Sequence, residues 1–588
     1  MNLANARRRL LLASLLSLHA VPALRADVKL SMIFGDHMVL QQDGAAPVWG
    51  TADPGESVTV TAGTVTGSAT ADADGKWMVK LSGLPVSAQP IEITVQGKNQ
   101  IVLHDVLVGD VWVCSGQSNM QFGIGKDASA QEEIAKANHP EIRLFMVTQK
   151  PLPAPATEMA PPAPHSTEGQ WLVCSPSTVK QNGWNGFSAV GYFFGRDIAA
   201  YTHQPVGLIG TYWGGTPAQS WTSLEGLQTD PALKEYADQS ASHRQNFDRD
   251  AVDYQNTVLP KWQADSDKWQ TDHKDKWDAY QASLQKYNDD VKAAPAQGTP
   301  PPSPATQPQD PSPKKPADPA TDPHLASVLY NSMIAPIIPY GIKGAIWYQG
   351  ESNWDHPVQY GTLLSAMIAD WRGRWGQGDF PFLIVQLANY EAKKPDPGEG
   401  NWNALREGQS KVAAQPHNGL AVTIDIGEAD DVHPKDKDDV SARLALAARK
   451  VAYGDASVVS SGPTYSEADI EGSSLRVLFN NVGGGLVIGT PPPHFHPGQP
   501  RLDASVLKGF AVSGDDGKYY WADARIEGAA VILSSPRVPA PVTVRYDWAM
   551  NPDGNLYNQE GLPAVPFRTD DAPVGEYFPK YPAPATAK

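Results

Sequence analysis

Four short stretches of this chain carry residues that together could run acyl transfer. In the first, an apolar run from Val106 to Val113 breaks into Ser115-Gly116-Gln117-Ser118-Asn119. An apolar strand that delivers a serine into a tight polar turn is how an α/β sheet presents a nucleophile at its carboxyl edge, which makes Ser118 the candidate. Two further buried-strand patterns end in glycine-containing turns. Val206–Tyr212 runs into Trp213-Gly214-Gly215-Thr216-Pro217, and Ile342–Tyr348 into Gln349-Gly350-Glu351-Ser352-Asn353. A backbone N–H at Gly214 or Gly215 can approach an oxyanion because no Cβ intervenes, and the carboxamide of Gln349 or Asn353 can supply another donor. The fourth stretch, Gly427–Pro434, holds Asp430, Asp431 and His433. A carboxylate two or three residues before a histidine can reach its Nδ1, fix the tautomer and stabilise the imidazolium. Each stretch has a plainer reading by itself: a Ser/Asn helix cap at Ser118, or a helix entry with capping aspartates before His433. Their coincidence is what points to catalysis.

The elements that must position these turns can be read from hydrophobic periodicity. From Val106 to about Gly454 strand patterns (Ile142–Val147, Phe380–Leu387, Leu420–Ile426) alternate with helical ones (Gln131–Ala137, Phe187–Tyr201, Asp436–Val451). Such alternation implies a parallel sheet covered on both faces, whose carboxyl ends share one edge. Short alternating segments and regular turn signals make residues 27–105 and 455–578 β regions of sandwich type. An insertion at about 227–322 interrupts the α/β domain, 106–454. Its first part is helical, with Phe247, Tyr254, Trp262, Trp269, Trp277, Tyr280, Leu284 and Tyr287 near a seven-residue repeat. That aromatic face is either a packed seam or a wall of the substrate cleft, and Pro260 starts or kinks a helix there. The Pro-, Ala- and Gln-rich stretch Ala294–Pro323 and the tail 579–588 read as irregular or disordered.

Composition narrows the function class. At 588 residues, two to four domains are expected. A net charge of -17 without a basic stripe argues against nucleic acid. Seventeen Trp offer sugar-stacking surface, although most Trp belong to cores. Arg7–Arg9, then Leu10–Leu16, then Ala20, Ala23 and Ala26 form a leader over 1–26. The protein is therefore expected to be exported to the periplasm or secreted, with no membrane span after leader removal. The two cysteines, Cys114 and Cys174, form no disulfide framework, although export permits a bond between them. No spaced Cys/His set reads as a metal site.

The motifs G-D-V-W-V-C-S-G-Q-S-N-M (109–120), F-S-A-V-G-Y-F-F-G-R (187–196), G-G-T-P-A-Q-S-W (214–221), W-Y-Q-G-E-S-N (347–353) and D-V-H-P-K-D-K (431–437) resemble the sialate O-acetylesterase family of SGNH hydrolases, which includes bacterial carbohydrate acetylesterases. Met38–Gln42, Pro47–Gly50 and Asn555–Thr569 extend the resemblance over nearly the whole mature chain. It implies an SGNH-hydrolase, flavodoxin-like α/β sheet domain flanked by the β regions. It also implies Ser118 as nucleophile, His433 as base, and an oxyanion hole from the N–H groups of Ser118 and of Gly214 or Gly215 with the Gln349 carboxamide. The superfamily's D-x-x-H spacing selects Asp430 as the acid, with Asp431, which lies in the D-V-H-P motif, as the alternate. No metal or organic cofactor is needed. The expected activity is removal of O-acetyl groups from an acetylated oligosaccharide or polysaccharide. An acidic, Trp-rich chain favours neutral hemicellulose (xyloglucan or xylan) over anionic sialate. A non-catalytic carbohydrate-binding protein and an SGNH lipase or thioesterase are the competing classes. Oligomeric state is not readable.

Overall fold

The computed structural model describes residues 27–297, 312–489 and 504–574. The leader, the tail and residues 298–311 of the Pro-rich part of the insertion lie outside them.

The molecule is organised on one strand, Gln100–Gly116. Its first half pairs antiparallel with Ser87–Gln96 and parallel with Val39–Gln41. Its second half lies in the parallel sheet between Val206–Tyr212 and Gly344–Tyr348. The strand bends at Asp105, where φ is 54°. Arg143 Nη1 and His37 Nδ1 hold the Asp105 carboxylate at 2.8 and 2.6 Å. The sequence boundary at 105/106 thus falls on a bend inside a continuous strand.

Across the α/β sheet the order is Trp171–Cys174, His139–Met146, Val206–Tyr212, Gln100–Gly116, Gly344–Tyr348, Phe382–Val385, Asn418–Ala421. Only the Trp171–Cys174 edge strand is antiparallel. The sheet is parallel as expected, but its order is not the flavodoxin-like one. Counted in chain order, the parallel strands lie 2-3-1-4-5-6, whereas a flavodoxin-like sheet runs 2-1-3-4-5. Alternation along each strand loads both faces. Trp112, Cys114, Ile346 and Tyr348 pack under the helices Ala189–Thr202 and Lys437–Val451. Val111, Val113, Ala345 and Trp347 pack under Pro357–Trp375 and Asn401–Ala413. Cys114 and Cys174 are both free and buried.

The predicted strand Leu420–Ile426 ends earlier, at Ala421. Val422 and Ile424 cluster instead with Val565 from the C-terminal region. Arg443 clamps Asp425 through two bonds of 2.6 and 2.9 Å. The chain therefore leaves the sheet before the histidine loop begins.

The N-terminal region is a sandwich. Lys29–Leu30, Ala45–Thr51 and Lys76–Ser82 form one sheet, and Ser57–Ala62, Val65–Thr70 and Ser87–Gln96 run into the long strand. In the C-terminal region two four-stranded sheets enclose Leu475, Val477, Phe510, Val512, Val531 and Leu533. Among the described residues no strand ladder joins the two β regions. The C-terminal region docks on the α/β domain through Arg406, which donates to the carbonyls of Leu387, Ala388, Ala549 and Met550.

The insertion is helical over Lys234–Asp253, Leu259–Asp272 and Lys274–Gln297, and Pro260 stands in the first turn of the second helix. Tyr254 Oη donates to Pro316 O at 3.1 Å and Trp262 Nε1 to Pro313 O at 3.0 Å. These two rings of the aromatic face are covered by the later part of the Pro-rich stretch itself, so this part of the face is a seam.

Candidate active site

Because the Gln100–Gly116 strand lies between Val206–Tyr212 and Gly344–Tyr348, the three polar turns at their carboxyl ends are neighbours. Gly116 makes the serine turn possible. Its φ is 137°, and a Cβ there would lie 2.2 Å from Tyr348 O. The Gln117 N–H then donates to Tyr348 O at 3.0 Å, and Ser118 opens a single helical turn, Ser118–Gln121. The first residue of such a turn has no intrahelical acceptor for its N–H.

His433 reaches the serine from the loop after Asn418–Ala421. Its Nε2 lies 2.9 Å from Ser118 Oγ. Asp431 Oδ1 accepts the His433 backbone N–H at 2.9 Å and lies 3.1 Å from Nδ1. With Nδ1–H donating to the carboxylate, Nε2 is left as acceptor for the Ser118 hydroxyl. The expected acid, Asp430, is exposed, and the structure puts Asp431 on the ring instead. The physical reason is local: an aspartate that accepts from the N–H two residues on closes an Asx turn, which brings its carboxylate beside the ring. Burial lowers the His433 pKa below its ordinary value, and Asp431 only partly offsets this. Burial opposes ionisation of Asp431 too, but the backbone and ring hydrogen bonds from His433 hold its pKa below the usual value.

The other side of the serine is only partly as expected. Gly214 packs against Ser118; a Cβ on it would lie 3.4 Å from Ser118 Cβ. Its N–H, however, already donates to Gln121 Oε1 at 2.7 Å. Gln349 is 0% exposed, and its Nε2 donates to Asn353 Oδ1 at 2.7 Å and to Thr216 O at 3.3 Å. Asn353 is itself held by Ala218 N–H and Gln219 Oε1. Gln349 and Asn353 are thus internal ties between strand ends, not oxyanion donors in this arrangement. The N–H groups of Ser118 and Gly215 remain from the expected set.

Three side chains at the site escaped the sequence reading. Trp184 is 39% exposed, and its ring meets His433 edge-on at 5.1 Å between centroids. Lys126 Nζ sits 3.9 Å from the Trp184 centroid. On the Gly215 side, His324 Nδ1 lies 2.6 Å from Asp322 Oδ1, and that carboxylate raises the His324 pKa. A signal for Trp184 was present: it sits in Asn182-Gly183-Trp184-Asn185-Gly186, all turn formers around one ring. Asn182, Gly183, Asn185 and Gly186 indeed take positive φ, from 57° to 114°.

Comparison with known proteins points to carbohydrate esterases. Residues 323–450 match the family described as carbohydrate esterase, sialic acid-specific acetylesterase. The sialate O-acetylesterase of Mus musculus is 29% identical over 468 residues, 75% of this chain and 76% of that protein. The Homo sapiens enzyme is 29% identical over 456 residues, 72% of this chain and 71% of that protein. The crystal structure of a carbohydrate acetylesterase from Xanthomonas citri is 31% identical with a TM-score of 0.70, covering 92% of this chain and 100% of that one. A serine, a histidine and an aspartate joined in one hydrogen-bonded line at the edge of a parallel sheet, in a chain 31% identical to the Xanthomonas citri esterase over 92% of its length, place it: the chain belongs to the sialate O-acetylesterase family of SGNH hydrolases, the serine carbohydrate acetylesterases.

Proposed function

We propose that Ser118, His433 and Asp431 hydrolyse acetyl esters on neutral hemicellulose, with xyloglucan or xylan oligosaccharides and polysaccharides as substrates. Ser118 Oγ attacks the acetyl carbonyl while His433 Nε2 takes its proton. The tetrahedral oxyanion lies against the N–H groups of Ser118 and Gly215. His433 then gives the proton to the departing sugar oxygen, leaving acetyl-Ser118. A water molecule, deprotonated by the same Nε2, attacks the acyl carbon; acetate leaves and the proton returns to Ser118. Asp431 keeps the ring in the required tautomer and balances the imidazolium charge. No step requires a metal or organic cofactor.

The observation that carries this reading is the 2.9 Å approach of His433 Nε2 to Ser118 Oγ beside an exposed Trp184. An aromatic face at the reacting end suits a pyranose ring, and the net charge of -17 disfavours a polyanion. One observation favours a second reading, sialate O-acetyl esters: Lys126 over Trp184 puts a cation where a sugar carboxylate could pair. Export to the periplasm or secretion belongs to the proposal and is supported by the charged and apolar leader pattern of Arg7–Leu16. No helix among the described residues is long and apolar enough to cross a membrane.

The test is acetate release from acetylated xyloglucan, acetylated xylan and O-acetylated sialic acid, by the parent protein and Ser118→Ala. Release from hemicellulose that disappears in folded Ser118→Ala is expected. Release from sialate alone would transfer the assignment to the second reading. Sugar binding without hydrolysis by either protein would mark a binding module.

A further inference from the structure

Beneath the Ser118–His433 pair lies a second polar line that takes no part in the steps above. Asn119, the residue after the nucleophile, is buried. Its Nδ2 donates to Val432 O at 3.0 Å and to Glu351 Oε1. Its Oδ1 accepts from Lys437 Nζ at 2.6 Å. Val432 immediately precedes His433, Glu351 follows the Gln349-Gly350 turn, and Lys437 lies in the first turn of the helix that follows the histidine loop. One carboxamide therefore joins three of the segments that meet at the site.

An amide can be turned over with little change of shape. Here its orientation is forced, with the oxygen toward an ammonium and the nitrogen toward a carboxylate and a carbonyl. Lys437 is 0% exposed, and its Nζ also lies 4.8 Å from the Phe122 ring centroid and 5.2 Å from that of Tyr348. Glu351 Oε2 is buried with no hydrogen-bond partner. A buried ammonium and a half-satisfied carboxyl are costly unless they do something for the fold or the reaction.

We propose that Lys437 and Glu351 are positioning residues for ester hydrolysis, which act by polarising Asn119 from opposite sides so that it holds the Val432 carbonyl, and with it His433, in register with Ser118. This rests on the assignment of Ser118 and His433 as nucleophile and base. A displacement of about 1 Å between such groups can cost about 100-fold in rate. Burial pushes the Lys437 ammonium down to about 7, opposed by the carboxylates of Glu351, Asp127, Asp436 and Asp431. A neutral amine would still donate to Asn119 Oδ1. The device therefore persists through that titration, and substitution is the sharper test.

The experiment measures kcat and KM for p-nitrophenyl acetate in the full-length protein and in Asn119→Leu, Lys437→Met, Glu351→Leu and Glu351→Gln. Rates are normalised to the Ser118 sites that a fluorophosphonate labels. Asn119→Leu and Lys437→Met are expected to lower kcat per labelled site about 10- to 100-fold with KM within about twofold. Glu351→Gln still offers a carbonyl to Asn119 and keeps kcat within about threefold, whereas Glu351→Leu falls with Lys437→Met. The double variant Asn119→Leu/Lys437→Met is no slower than Asn119→Leu, because Lys437 acts through Asn119. Unchanged kcat in Lys437→Met, or losses that multiply in the double variant, overturns the proposal. If Lys437→Met does not fold, Asn119→Leu with Glu351→Leu supplies the same cycle. Failure of the underlying reading shows separately, as turnover retained by Ser118→Ala.

Discussion

One carboxylate oxygen of Asp431 engages His433 twice, through the backbone N–H at 2.9 Å and the ring Nδ1 at 3.1 Å. The first contact fixes where the histidine leaves the loop, and the second fixes how its ring is turned. Together they determine that Nε2 faces Ser118. The arrangement depends on the loop before it, where Arg443 and Tyr557 Oη both hold Asp425. Tyr557 comes from the C-terminal β region, so that region helps to shape the histidine loop as well as covering a helix.

Asp431→Asn should therefore lower kcat by about 100- to 10,000-fold, since the ring would lose both its tautomer control and its counter-charge. Asp430→Asn should change kcat less than about threefold, because Asp430 is exposed and surface substitutions of this kind are nearly neutral. Steady-state kinetics of the two variants decide the matter. A large loss in Asp430→Asn with little in Asp431→Asn would return the acid to the D-x-x-H position.

The pH profile follows from the depressed His433 pKa. A base must be neutral to accept the serine proton, so kcat/KM should be full above the His433 pKa and fall as pH drops through it. Burial places that pKa below the ordinary value of 6.5, and the acid limb should lie on the acid side of 6.5. The same shift acts on stability. The unfolded chain binds this proton more readily than the native one, so its contribution favours folding less as pH falls below the unfolded pKa. A rate profile with an acid limb above the ordinary histidine range would contradict the burial argument.

Trp184 meets His433 in a T-shaped contact, carries Lys126 over its ring and is still 39% exposed beside the reacting serine and histidine. Trp184→Ala should raise KM for acetylated oligosaccharide about 5- to 50-fold, the loss expected for one aromatic contact of about 1–2 kcal/mol. Hydrolysis of p-nitrophenyl acetate should change far less. Equal losses on both substrates would show that the ring supports His433 and does not hold sugar.

Much of this site was legible because its signals are local. An apolar strand breaking into Ser-Gly-Gln-Ser, and an Asp-Asp-Val-His loop, announce themselves without any partner. What was not legible depends on distant residues. Whether Gln349 can donate to an oxyanion is decided by Thr216 O and Asn353 Oδ1, which already accept its hydrogens. Gly214 is removed from the donor set by the Gln121 side chain in the same way. Asp430 and Asp431 differ by one position, and only the Asx turn of the folded loop separates them. The alternation of Leu420, Val422, Ile424 and Ile426 reads as one strand, yet Val422 and Ile424 face Val565 from another region of the chain. Strand order, too, follows from how helices pack across the sheet and leaves no local mark.

The serine turn itself gives the sharpest structural prediction. Gly116 stands at φ 137°, in a region that side chains rarely adopt, and its added Cβ would meet Tyr348 O at 2.2 Å and Tyr348 N at 3.0 Å. Both obstacles are backbone atoms of the neighbouring strand, so no rotamer change relieves them. Gly116→Ala must either spread the ladder between Gln100–Gly116 and Gly344–Tyr348 or re-turn the peptide that leads to Ser118. The first costs ladder bonds at the centre of the sheet, and the second moves Oγ away from His433. Strain of this kind is worth about 1–3 kcal/mol, beside the clash. The expected outcome is a lower thermal midpoint together with a kcat loss of at least about 100-fold in the fraction that remains folded. A variant with the parent's midpoint and turnover would mean that the turn is not held as described.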